Sequence, residues 1–208
     1  MRLFYPFDLP KLPYGFSDML PYMSEWTMKT HYTVNHQGYV NNTNKLLANK
    51  PDLQKSKLAL LLTQAKGPLF DQAAQHFNHV IWWYSMQPAS KEYTEPSGKL
   101  KALIIQHFGS IENWRADFIK KAKAQFGSGW CWLVFEKGKL YNVTTPNAQI
   151  PNFFSGRQPL LVCDLWEHAY FCDYTTDREK YIKGWFHCVN WKMANVRLAG
   201  EDGLFSLY

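Results

Sequence analysis

The stretch Val162-Cys163-Asp164-Leu165-Trp166-Glu167-His168-Ala169-Tyr170 organises this chain. It sets a carboxylate and an imidazole four positions apart, behind an apolar run from Pro159 to Val162 that reads as a buried strand. An Asp and a His this close at a strand end can make half of a metal site. The same spacing serves equally well for an aspartate that orients a buried histidine. Trp166 and Tyr170 add aromatic wrapping, and metal sites are commonly enclosed in a dry shell. The remaining ligands have to come from elsewhere in the chain.

Working outward, 208 residues with 46% hydrophobic content suffice for one compact unit or two small lobes. Nine tryptophans point to a core or interface of stacked rings. No apolar run approaches the length of a transmembrane helix, and the first ten residues lack the apolar core of a signal peptide. The formal net charge of +6 favours anions, whether a small substrate, nucleic acid or an acidic partner. Cys131, Cys163, Cys172 and Cys188 form no C-x-x-C pair and read as buried thiols of a reducing compartment.

Residues 1–23 carry four prolines and read as an extended arm. Ser24 is a suitable N-cap for a helix running to about Ala48, with His31, Asn35 and Tyr39 on one face at i, i+4 and i+8. A short helix through Leu58–Leu62 and a long one over Leu69–Met86 complete an antiparallel helical hairpin. On the long helix Gln72, Gln75, His76, His79 and Trp83 share a side. The breaker-rich Pro88–Gly98 marks the boundary, giving a hairpin domain over 1–88 and a second domain over 89–208. There, helices over Gly98–Phe108 and Ser110–Gln125 precede a hairpin of strands, Trp130–Phe135 and Leu140–Thr144, turning at Lys137-Gly138. The third strand leads into the opening stretch, and a final helix over Asp177–Arg197 is interrupted at Gly184. The fold class is α+β: a long helical hairpin, then helices around a three-stranded antiparallel sheet.

Four motifs occur in order: His31-Tyr32-x-x-Asn35-His36-Gln37-Gly38-Tyr39, Ala73-Ala74-Gln75-His76-Phe77-Asn78-His79, Gly127-Ser128-Gly129-Trp130, and Asp164-x-Trp166-Glu167-His168-Ala169-Tyr170. Together they closely resemble the iron/manganese superoxide dismutase family, from about Phe7 to Leu198. The resemblance makes His31, His79, Asp164 and His168 the metal ligands. Gln75 fills the helix position from which iron-type members hydrogen-bond the metal-bound solvent. The loop position used by manganese-type members holds Ala148, with Gln149 the weaker candidate. Iron is therefore the implied ion, with manganese as the alternative. Tyr39 matches the family's gateway tyrosine, and Trp83, Trp130 and Trp166 its aromatic wall. Glu167 matches a residue that crosses a two-fold interface to the partner's ligand histidine, implying a homodimer through Glu167 and His168. His76 reads as a residue of the helix surface or of the shell behind the ligands.

Two positions depart from the pattern. Asn35 stands where the family usually has histidine and Phe171 where it has tyrosine, so a hydrogen-bonded pair is lost on both sides. Cys131 replaces a smaller residue beside Trp130 and brings a thiol toward the metal. The implied function is dismutation of superoxide inside the cell, in the cytoplasm or an organelle such as the mitochondrion. The alternative is a structural subunit of a large ribonucleoprotein or multiprotein assembly, suggested by the basic charge, the altered pair and the apolar tail Leu204–Tyr208.

Overall fold

The computed structural model describes residues 2, 4–152 and 156–202; the tail at Leu204–Tyr208 lies outside them. The N-terminal arm is not extended throughout, since Phe16–Met19 form a short 3-10 turn whose Asp18 accepts from the Gly15 N–H at 2.7 Å. The first long helix starts as expected. Ser24 caps it, its hydroxyl accepting from Thr27 N at 3.1 Å, and α1 covers Glu25–Thr30.

It is not α-helical to its end. His31–His36 form a π-helical turn before α2 (Gln37–Leu47) resumes. An i→i+5 turn brings positions five apart onto one side. His31 and His36 are consequently both fully buried, while Asn35 is only half-buried. The expected face His31–Asn35–Tyr39 is thus corrected to one in which His36 takes the inner place. Pro51 opens the short α3 (Pro51–Gln54), followed by α4 (Leu58–Gln64).

Gly67, at φ 56°, turns the chain into α5 (Pro68–Tyr84), whose Pro68 suits the first helical turn. From Ala73 to Trp83 every side chain of α5 is buried, so this helix is the axis of the molecule. It packs against α2 on one side and against the sheet on the other.

The second half begins with α6 (Gly98–Phe108), ended by Gly109 at φ 84°, and α7 (Ile111–Ala124), whose cap Ser110 accepts from Asn113 N at 3.1 Å. Strand β1 (Gly129–Glu136) pairs with β2 (Lys139–Pro146) through Lys137 and Gly138, both at positive φ as a tight twisted hairpin requires. Strand β3 (Gln158–Asp164) pairs antiparallel on the other edge of β1, giving the order β2-β1-β3 with Trp130 opposite Asp164.

Side chains alternate across a sheet. Trp130 points toward α5, where its ring meets His79, and Cys131 therefore points the other way, its Sγ 3.8 Å from the Phe118 carbonyl of α7. The expectation of a thiol crowding the metal is corrected by this register. Cys131, Cys163 and Cys188 are buried, but Cys172 is exposed.

The last long helix is two helices. A 3-10 turn (Glu167–Ala169) and α8 (Phe171–Tyr174) lead to α9 (Arg178–Trp185) and α10 (Trp191–Leu198). The break falls after α9, not at Gly184. Gly184 sits inside α9 because a Cβ there would come within 2.6 Å of the Tyr174 hydroxyl. Arg197 of α10, fully buried, ties the halves together: Nη1 donates to Ser85 Oγ at 2.9 Å and to the Leu160 carbonyl at 3.0 Å, and Nη2 to the Ile81 carbonyl at 3.3 Å. Among the described residues no helix is long and apolar enough to cross a membrane.

Candidate metal centre

Four elements each deliver one donor to a single point. His31 opens the π turn, His79 lies five residues before the end of α5, Asp164 is the last residue of β3, and His168 sits in the 3-10 turn just beyond it. Their donor atoms all lie within 4.8 Å of one another. Asp164 Oδ2 is 3.3 Å from His31 Nε2, 3.5 Å from His168 Nε2 and 3.6 Å from His79 Nε2. His31, His79 and Asp164 are fully buried, and the His168 side chain is 17% exposed.

Hydrogen bonding behind the donors decides what they offer. His79 Nδ1 lies 2.7 Å from the Gln75 carbonyl, which can only accept. The proton of His79 is therefore on Nδ1, and Nε2 presents a lone pair 2.9 Å from His31 Nε2. Asp164 Oδ1 accepts from Trp166 N at 2.8 Å, whereas Oδ2 and His168 Nε2, both buried, have no hydrogen-bond partner among the described residues. Lone pairs and an orphaned carboxylate oxygen aimed at one point are costly in a protein interior and are resolved by a cation. Three imidazoles and one carboxylate suit a first-row transition ion.

The electrostatics agree with that use. Burial pushes the His31 imidazole down to about 4 against the upward pull of Asp164, and pushes His79 well below its ordinary value. Burial alone would raise Asp164, but the His168 and His31 imidazoles that face its carboxylate at 3.5 and 3.3 Å outweigh it and hold it low. An ionised carboxylate facing neutral imidazoles is the state a metal requires.

Rings enclose the donors. Trp83 lies 5.1 Å from His31, Trp130 5.0 Å from His79, and Trp166 stacks on His168 at 5.6 Å. Tyr39 sits 5.2 Å from His79. Trp82, which the sequence reading missed, covers His31 at 4.5 Å. Gln75 is 2% exposed and neither of its amide atoms has a hydrogen-bond partner among the described residues. Burial raises the Tyr39 phenol, and the nearby Gln75 amide draws it partly back without meeting hydrogen-bond geometry. Gln149 is exposed, and Ala148 is buried beside Asn78 of α5. Asn35 is half-buried; Phe171, 48% exposed, and Glu167, also exposed, lie on the outer side of His168.

His36 is the other residue that sequence reasoning did not place, and of the two places read for His76 the structure gives the shell behind the ligands. His76 is not on the helix surface. It is fully buried, its Nδ1 2.7 Å from His36 Nε2, and His36 stacks on His79 at 5.1 Å. Two histidines on facing helices were the available signal, but only a π turn aims the first of them inward.

Residues 6–87 match the alpha-hairpin domain of the iron/manganese superoxide dismutases, and residues 96–197 match their C-terminal domain. This chain belongs to the iron/manganese superoxide dismutase family. It is 41% identical to a superoxide dismutase [Fe] of Coxiella burnetii over 186 residues, 89% of this chain and 94% of that one. It is 41% identical to a superoxide dismutase [Fe] of Babesia bovis over 193 residues, covering 92% and 96%. A superoxide dismutase [Mn/Fe] of Rickettsia bellii is 39% identical over 199 residues, covering 93% and 94%. The alternative of a structural subunit in a large assembly finds no support in these relatives, and the intact donor set counts against it.

Proposed function

We propose that the four-donor cluster is the catalytic iron centre of a superoxide dismutase, held by His31, His79, Asp164 and His168. The observation that carries this reading is the convergence of Asp164 Oδ2 and three imidazole Nε2 atoms, with Oδ2 lacking any hydrogen-bond partner. Bound iron supplies a one-electron couple, so that one superoxide is oxidised to dioxygen and a second, taking two protons, is reduced to hydrogen peroxide. The chain's own residues do the rest. His31 and His79 stay neutral through burial, and His79, its proton held on Nδ1 by the Gln75 carbonyl, leaves its Nε2 lone pair for the ion. Gln75, near Tyr39 with both amide atoms buried and unpartnered among the described residues, offers a donor and an acceptor, and Tyr39, its phenol raised by burial, keeps a proton to give at neutral pH. Trp83, Trp130 and Trp166 exclude bulk water around the donors. The net charge of +6 draws in a small anion.

Iron-loaded chain should consume superoxide, and Asp164→Ala should lose both iron and activity. Chain that keeps its iron and fails to consume superoxide would overturn the assignment.

The chain acts as a homodimer in this reading. Phe126 is 97% exposed, on a loop pinned by Arg178, which donates to the Gln125 carbonyl at 2.6 Å and the Gly127 carbonyl at 2.9 Å. Arg178 also donates to Tyr170 at 3.2 Å, and Glu167, Tyr170, Phe171 and Arg178 line one shallow depression. Two exposed aromatics, Phe126 on the loop that Arg178 pins and Phe171 in the depression that Arg178 lines, support an interface near His168. Phe126→Glu should yield monomers in sedimentation; a monomeric unsubstituted chain would refute the dimer. The free thiols support a reducing compartment, cytoplasmic or mitochondrial. The domain boundary at 88/89 is supported by the two family matches that flank it.

A further inference from the structure

Behind the donors runs a file of three rings that the redox chemistry does not use. Trp83 Nε1 lies 2.9 Å from His36 Nδ1, and His36 Nε2 lies 2.7 Å from His76 Nδ1. All three side chains are fully buried. An indole N–H only donates, so His36 Nδ1 is a bare lone pair and the single proton of neutral His36 is on Nε2. That proton goes to His76 Nδ1, which leaves the proton of His76 on its own Nε2. Both tautomers thus follow from the donor-only group at the head of the file.

The file has a cost at its far end. His76 Nε2 has no partner among the described residues and is covered by the Phe7 ring at 5.7 Å. An orphaned buried donor costs about 1–3 kcal/mol. What it supports is visible at the near end. His36 stacks on the ligand His79 at 5.1 Å and 27°, and Trp83 stands edge-on to the ligand His31 at 5.1 Å and 61°. The file joins the last residue of the π turn to α5, so it also fixes the phase of the turn that carries His31.

We propose that His76 is a positioning residue: by accepting the Nε2–H that the Trp83 donor sets on His36, it fixes the His36 ring, and through it holds Trp83 and the imidazole of His79 in their places at the metal centre. This rests on the metal-centre reading, and the test below separates the two. A leucine at 76 removes the acceptor. An asparagine restores it, because its Oδ1 takes the place of Nδ1.

The probes are nitrogen-resolved NMR of labelled histidine and tryptophan and exchange of the Trp83 indole proton. Both are measured on the full chain, metal-free and loaded with diamagnetic zinc. In the unsubstituted chain and in His76→Asn, His36 should be protonated on Nε2 and the Trp83 proton should exchange slowly. In His76→Leu that proton should exchange faster by about tenfold or more, and turnover of iron-loaded protein should fall about 10–100-fold, as when other outer partners of a metal site are lost. Iron content should be unchanged. Equal exchange in His76→Leu and the unsubstituted chain would overturn the proposal, as would His76→Asn behaving like His76→Leu. Should His76→Leu not fold, the unsubstituted chain serves: His36 carrying its proton on Nδ1 and not on Nε2 would leave His76 Nδ1 with nothing to accept and would overturn the proposal. Failure of the unsubstituted chain to hold metal would sink the metal-centre reading alone, since the exchange comparison stands in the metal-free chain.

Discussion

Four imidazoles buried neutral make the metal-free protein sensitive to mild acid. Burial lowers His31 to about 4 and His76 to about 3, and holds His36 and His79 well below their ordinary value. The unfolded chain, with histidine pKa near 6.5, then binds more protons than the folded one below that pH. Their contribution is present above about pH 6.5 and is lost as pH falls toward the folded values. Integrating the linkage from about pH 7.5 to about pH 5.5 costs ~1.4 kcal/mol for each such histidine, hence ~5 kcal/mol for all four. That equals the lower end of the stability of an ordinary domain, roughly 5–15 kcal/mol. Asp164, held low in the folded state, has its effect below this window. Urea unfolding of chelator-stripped protein at the two pH values should show the loss. Unfolding at the lower pH should also take up between three and four protons, read from the buffer dependence of the calorimetric heat. His76→Asn should reduce that uptake by about one proton. Stability within about 1 kcal/mol at the two pH values, with uptake below one proton, would refute the claim that burial keeps these rings neutral.

Three substitutions probe other parts of the argument. Gln75→Leu should leave iron bound and lower turnover about 10–100-fold, measured as superoxide consumption per iron. Arg197→Met strips the Ile81 and Leu160 carbonyls and Ser85 of a buried charged donor; it should cost about 3–5 kcal/mol, or roughly 10 °C in a thermal melt. Gly184→Ala forces a methyl against Tyr174 and Tyr22 and should cost about 1–3 kcal/mol in urea unfolding, with iron content unchanged.

The sequence made the capped and punctuated parts of the fold legible. Ser24 and Ser110 start their helices, Gly109 ends one, and Lys137-Gly138 turns the strands, because each choice is dictated by bonds within a few residues. The donor set could be assembled from four separated motifs, since each brings its own local frame. What stayed hidden depends on distant partners. The gap between α9 and α10 forms where Cys188, His187 and Asn190 exchange backbone hydrogen bonds with Gln87, Ser90 and Ser85, a tertiary bridge invisible to helical periodicity. Gly184 signalled the break but serves a close approach inside the helix. The π turn has no repeat of its own in one short segment, so Asn35 looked like an inward residue and His36 did not. Cys131 was misplaced because it neighbours Trp130 in sequence, whereas alternation along β1 turns adjacent side chains to opposite faces.

The division of the donors between the halves has a consequence for biosynthesis. His31 and His79 emerge early, on two helices that already pack together, while Asp164 and His168 arrive only after most of the chain is made. A growing polypeptide therefore presents only two of the four converging donors, too few to grip a borderline ion firmly. Iron uptake becomes a proofreading step performed by the finished molecule, and truncated or half-docked products stay redox-silent.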